Sequence, residues 1–113
     1  MEVWNRSHLP WRTAGIDNRI KAGARMIGPL AQPIAEDEAI AIFRTPNGPA
    51  RDVARTELER EWMQPGDRVN TVVAVRAPSH PGLYFVHLDL VEEGVHWFSD
   101  LGEPGIAIPL QVR

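Results

Sequence analysis

His87, Asp89 and His96 are the side chains whose types and spacing come nearest to chemistry. Two imidazoles and a carboxylate, brought together across a hairpin, would make the two-histidine, one-carboxylate set that holds a transition metal. The alternation around them favours a plainer reading, in which they are outward polar residues on a strand whose other face carries Tyr84, Val86 and Leu88. Glu92 and Glu93 could supply the two carboxylates of a glycoside hydrolase, but neighbours on a strand point to opposite faces and cannot flank one bond; a solvated turn accounts for them better. Asp89, Asp100 and Glu103 could ligate calcium from a loop, without the ordered spacing of a calcium-binding motif. The sequence contains no glycine-rich phosphate loop, no His-Glu-x-x-His and no Gly-x-Ser-x-Gly. The chain is therefore expected to be no enzyme, with no catalytic residue, metal or cofactor.

Binding is the better prospect, because four of the eight aromatic residues are tryptophans. Apolar faces of pyranose rings stack on exposed indoles while nearby polar groups fix their orientation. Trp62 follows Glu57, Glu59, Arg60 and Glu61, a polar setting that suits partial exposure, and Trp4 is similarly unconstrained. These two are the candidate ligand-binding residues; Trp11 and Trp97 are assigned to the core or its edge.

The elements that must position these residues are mostly strands. Ten prolines and nine glycines punctuate the chain too often for long helices. The clear periods are two: Ile106, Ile108, Leu110 and Val112, with Pro109 marking an edge; Val69, Thr71, Val73 and Val75; and Tyr84, Val86, Leu88 and Leu90. Val95 to Phe98 reads as a short strand, so that the last forty-five residues would form a meander. Ile20, Ala22, Ala24 and Met26 alternate as well, and Ile40 with Ile42 reads as a further strand. Residues 50–63 are expected to form a short helix or loop and then a strand ending near Met63. The topology of residues 27–63 stays open. Pro81-Gly82-Leu83-Tyr84 at a strand start suits a tyrosine corner. Six or seven short strands with frequent turns make an antiparallel, immunoglobulin-like β-sandwich the expected fold, all-β and one domain over residues 1–113.

Composition narrows the partners. The net charge of −3 argues against nucleic acid, whose phosphates call for clustered positive charge. Residues 1–25 are locally basic and residues 82–104 locally acidic, which suggests two segments that face each other. There is no cysteine, hence no disulfide framework or thiolate site. No apolar run approaches the ~20 residues of a spanning helix, and the opening residues lack the pattern of a signal peptide, so a soluble chain without membrane insertion is expected, its compartment undetermined.

Pro65-Gly66-Asp67, Ala77-Pro78, Pro81-Gly82-Leu83-Tyr84 and the run from Asp89-Leu90-Val91-Glu92-Glu93 through Gly94-Val95-His96-Trp97-Phe98-Ser99 together carry a family resemblance, joined by the opening Val3-Trp4-Asn5-Arg6-Ser7 and Trp11. The pattern resembles the immunoglobulin-like accessory domains of bacterial glycosyltransferases and cell-surface polysaccharide proteins. More distantly it is similar to the four-tryptophan domain of selective-autophagy receptors. The resemblance covers about residues 3–11 and 64–112 and implies an accessory module of envelope-polysaccharide biology that recognises a glycan. Such domains usually carry a strand ahead of the asparagine-bearing one. Here Met1 stands two residues before Val3, which implies a missing first strand and an open edge. The alternative function is therefore a structural or interaction domain that pairs that edge with a partner protein or a second copy as a homodimer.

Overall fold

Two eleven-residue strands, β3 (Ile20–Leu30) and β7 (Gly82–Glu92), pair antiparallel with Ala22 opposite Leu90, Ala24 opposite Leu88 and Met26 opposite Val86. The computed structural model describes residues 1–13, 20–58, 62–93, 96–101 and 105–113, without the side chains of Arg12, Asp100 and Leu101. The basic and acidic segments of the sequence meet in this ladder, where Ile20 lies opposite Glu92 and Arg25 opposite His87. Strand β4 (Arg51–Glu57) adds to the other side of β3. The far edge of β7 takes two strands end to end: β9 (Ile106–Val112) from Gly82 to Leu88, and β8 (His96–Trp97) at Val91 and Glu92. A second layer consists of two ribbons, β1 (Glu2–Trp4) with β6 (Arg68–Asn70) and β2 (Trp11–Arg12) with β5 (Trp62–Met63).

The fold is all-β, an antiparallel sandwich. Val3 and Met63 from the ribbons meet Ile20, Ala22 and Leu90 of the main sheet, and beside them lies a continuation made by Ala24, Met26, Tyr84 and Val86. The opposite face of the main sheet is covered by the one described helix, α1 (Glu36–Phe43), whose Ala39 and Phe43 pack on Ile27, Phe85 and Ala107. Three acids in its first turn, Glu36, Asp37 and Glu38, complement the positive end of the helix dipole. This helix replaces the strand expected at Ile40 and Ile42. A two-residue alternation cannot distinguish the two periods, and the pair that is buried, Ala39 and Phe43, has the i, i+4 spacing of a helix face.

Other expectations are adjusted in the same way. Residues 51–57 form an edge strand rather than a helix or loop, since pairing with β3 outweighs the helix-forming side chains; the strand ending at Met63 is present. Val69, Thr71, Val73 and Val75 do face inward, yet only Arg68–Asn70 joins a ladder, with β1. The C-terminal strands are not a meander, because β8 and β9 share one edge of β7 instead of pairing with each other. Pro109 sits in β9 at the outside of the sheet, as its missing N–H requires. No described helix is long and apolar enough to cross a membrane.

Two buried polar side chains tie the loops to this frame. Asn5 donates from Nδ2 to the carbonyls of Leu9 and Met63, at 2.9 and 2.8 Å, and its Oδ1 accepts the Ser7 N–H; the Asn5 backbone also bonds Gly66 and Asp67 in the Pro-Gly-Asp turn. The tyrosine corner is present: the buried Tyr84 hydroxyl donates to the His80 carbonyl at 2.8 Å, across the connection into β7. Tyr84→Phe should lower stability by roughly 1 kcal/mol, the net value of one hydrogen bond, with the fold intact. Urea unfolding followed by tryptophan fluorescence measures it, and an unchanged midpoint would remove the corner's energetic role.

Candidate functional site

The edge of β7 is interrupted at Asp89 and Leu90, between the start of β9 at Ile106 and the end of β8 at Trp97. Asp89 closes the gap. Its Oδ1 accepts the Leu90 N–H and its Oδ2 the Ser99 N–H, both at 2.8 Å, which anchors the 3-10 turn Phe98–Leu101 to the sheet. The Ser99 hydroxyl in turn accepts from the Arg25 guanidinium at 3.3 Å. Arg25 lies over the ring of Trp97 at 4.3 Å, and Arg55 approaches the same ring at 4.4 Å. Trp97 can lie there because β3 carries Gly23 beneath it; a Cβ at that position would come within 2.8 Å of the indole.

His87 is fully buried on the same face. Its imidazole stacks on Phe43 at a centroid distance of 4.8 Å, and Gly105, at φ +69, passes so close that a Cβ there would lie 2.6 Å from Nε2. The expectation of outward polar residues is thus corrected: α1 and Trp97 cover this face, so His87 and Asp89 are buried among hydrogen bonds and rings. His96 instead lies beside Glu92, Nε2 3.7 Å from the carboxylate, and Glu93 pairs with Arg55 at 2.7 Å. Among the described residues no group of three or more His, Cys, Asp or Glu is placed to hold a metal. The calcium reading falls on Glu103 and the Asp100 side chain, which lie outside the described residues.

The other side of the β7 gap opens into a groove of about 550 Å³ between the two layers. Trp4, Trp11, Leu88, Phe98 and Ile106 provide its apolar walls, and Glu2, Arg6 and Ser7 its polar rim. Trp11 is braced edge-on against Phe98 at 5.5 Å. Trp4 is 41% exposed, with the guanidinium of Arg68 4.0 Å and that of Arg6 5.0 Å from its ring centroid. The alternation of β1 explains the placement: Val3 points into the core and Trp4 away from it, opposite Arg68. Of the two tryptophans chosen from the sequence, Trp4 lines this groove. Trp62 is 44% exposed on the neighbouring ribbon and is not among the groove's walls; Asn5 bridges the two ribbons through Met63. Trp11, assigned from the sequence to the core or its edge, does pack against the core beside Phe98, and its exposed part lines the groove.

Burial raises the Asp89 carboxyl above its ordinary value, opposed by the Ser99 backbone and hydroxyl, the Leu90 N–H and the charge of His87. The folded state therefore holds the Asp89 proton more tightly than the unfolded chain. The stability tied to this group is greatest below the ordinary carboxylate pKa and declines as pH rises to the raised one. Against Asp89→Asn, which mimics the protonated form, the wild type should lose relative stability as pH rises through this window and then level off. Paired urea titrations across acid to neutral pH test it; a relative gain with rising pH would contradict it.

Comparison with protein-family models, with curated proteins and with solved structures returns no match for this chain.

Proposed function

We propose that the chain is a non-enzymatic accessory module of cell-surface polysaccharide that holds a glycan in the groove between its two layers. The observation that carries this reading is the meeting of two indoles, Trp4 and Trp11, with Glu2, Arg6 and Ser7 around one cavity of about 550 Å³. That volume lies within the usual range of small-ligand sites, and rings framed by a few polar groups are what a sugar's apolar face and hydroxyls require. The Arg68 and Arg6 guanidiniums lie over the Trp4 ring, which holds the indole in place, and Arg6 adds donors to the groove. The buried carboxylate in the groove wall suits a binding role better than catalysis, since both Asp89 oxygens are engaged by backbone N–H groups. The resemblance to polysaccharide-associated domains supplies the class of ligand.

A glycan array followed by titration calorimetry on the strongest hit tests this. Trp4→Ala should weaken binding by roughly tenfold or more, equivalent to ~1.4 kcal/mol, while Trp62→Ala leaves it near wild type. A folded protein silent across the array, or a Trp4→Ala variant that binds normally, would overturn the reading.

The second reading is docking through a strand edge, and β9 favours it. This outer strand leaves Ile106 and Ile108 45% and 44% exposed beside the groove and carries no charge, so that Pro109 alone among its side chains opposes pairing. On this reading two copies pair through β9. Light scattering at tens of micromolar should then give a dimer that Ile108→Lys dissociates; a wild-type monomer would rule it out.

A further inference from the structure

The ladder of β1 with β6 stops while the segment that carries it goes on. After Asn70, Thr71 exchanges two backbone bonds with Met1, its N–H donating at 2.7 Å and its carbonyl accepting at 2.9 Å. In an antiparallel ladder such an exchange recurs at every second residue, so the N–H and C=O groups of Val73 and Val75 point into the same lane, beyond Met1. The chain keeps the alternation of a strand as far as Arg76. Val73 and Val75 turn inward onto the cluster of Met26 and Tyr84, while Val72, Ala74 and Arg76 are exposed. Among the described residues, 72–76 form no backbone hydrogen bond. This is a valine-rich, strand-competent edge without a neighbour.

The floor of the lane is the face of β9 that looks toward the second layer. Met1 lines the groove together with Leu88 and Ile106, which places the end of the β1 ladder over the β7–β9 pair. Along β9, Ile106 and Ile108 are exposed, and Leu110 and Val112 are partly buried against the same cluster that takes Val73 and Val75. Ala107, between them, packs instead beneath α1. An open hydrogen-bonding edge and a row of apolar side chains therefore border one strip. Its charge is one-sided: residues 69–81 and 105–113 contain no Asp or Glu, and Arg76 stands exposed at the far end, two residues before Pro78. A second copy matches this poorly, since its own open segment carries an arginine and no acid.

We propose that this lane takes one extended strand of a partner protein, antiparallel to residues 72–76, with alternate apolar side chains on the β9 row and a carboxylate at Arg76. The main chain of Val73 and Val75 supplies the bonds, and the apolar row and Arg76 supply the selectivity, the division of labour usual in strand addition. The site uses the face of β9 rather than its hydrogen-bonding edge, and it does not rest on the glycan reading.

The test titrates the intact nitrogen-15-labelled chain with the peptide Glu-Val-Thr-Val-Thr, acetylated and amidated at its ends, and follows amide shifts and hydrogen exchange. In the antiparallel register its glutamate meets Arg76 and its two valines lie opposite Val75 and Val73. Saturable shifts should appear with a roughly millimolar dissociation constant or tighter. Near saturation, exchange should slow roughly tenfold at the Val73 and Val75 amides and stay unchanged at Val72 and Ala74, whose N–H groups point away. The same peptide N-methylated at both valines should not bind, and Arg76→Glu, an exposed change, should weaken binding roughly threefold. The proposal is overturned by unmoved resonances in the folded protein, by protection that does not alternate, by undiminished binding of the N-methylated peptide or to Arg76→Glu, or by a peptide-free dimer in light scattering whose Val73 and Val75 amides are already protected. Trp4→Ala should bind the peptide as the wild type does, so the failure of this site and that of the glycan groove are separable.

Discussion

The ladder between β3 and β7 buries side chains on both of its faces, and the rest of the molecule is arranged to cover them. One face is apolar and is met by the ribbons. The other mixes Ile27 and Phe85 with Arg25, His87 and Asp89, so its cover must satisfy hydrogen bonds as well as exclude water. Helix α1, Trp97 and the turn at Ser99 do both. Ser99 serves Arg25 and Asp89 together, while Phe43 and Gly105 enclose His87.

The placement of the candidate sites follows from that arrangement. The interruption on the β7 edge, closed by Asp89, directs the chain through Phe98, and Phe98 braces Trp11 in the groove wall. On the opposite face, the missing side chain at Gly23 lets Trp97 lie against β3 and stack with Arg25. The groove therefore depends on Asp89, which both lines it and holds the turn that carries Phe98. A substitution at Asp89 would disturb the groove both at its wall and through the turn it holds, and one at Gly23 would displace Trp97.

The sandwich was legible in the sequence wherever a period of two ran for four or more positions, as in β3, β7 and β9, and wherever a turn had a distinct mechanism, as at Tyr84. The helix at Glu36–Phe43 was not legible, because the Ile40 and Ile42 alternation is too short to separate the two periods. The double coverage of β7 does have a signal in the sequence. The run from Tyr84 to Val91 is nearly continuous in apolar residues, a mark of strands buried on both faces, and its His87 and Asp89 are the polar exceptions that needed partners. Those partners, Arg25 and Ser99, lie 74 residues apart in the chain, a distance at which spacing carries no information. The polar neighbours of Trp62 point to its exposure, while Trp4 is marked in the sequence only by a lack of constraint; its grouping with Trp11 rather than Trp62 depends on how the ribbons pair, which composition does not encode.

The groove is the central claim, and the indole N–H resonances of the four tryptophans test it most directly. With the array's strongest glycan titrated into nitrogen-15-labelled protein, the account predicts saturable shifts for Trp4 and Trp11 and stationary signals from Trp62 and Trp97. Shifts confined to Trp62 or Trp97, or four stationary signals, would contradict it.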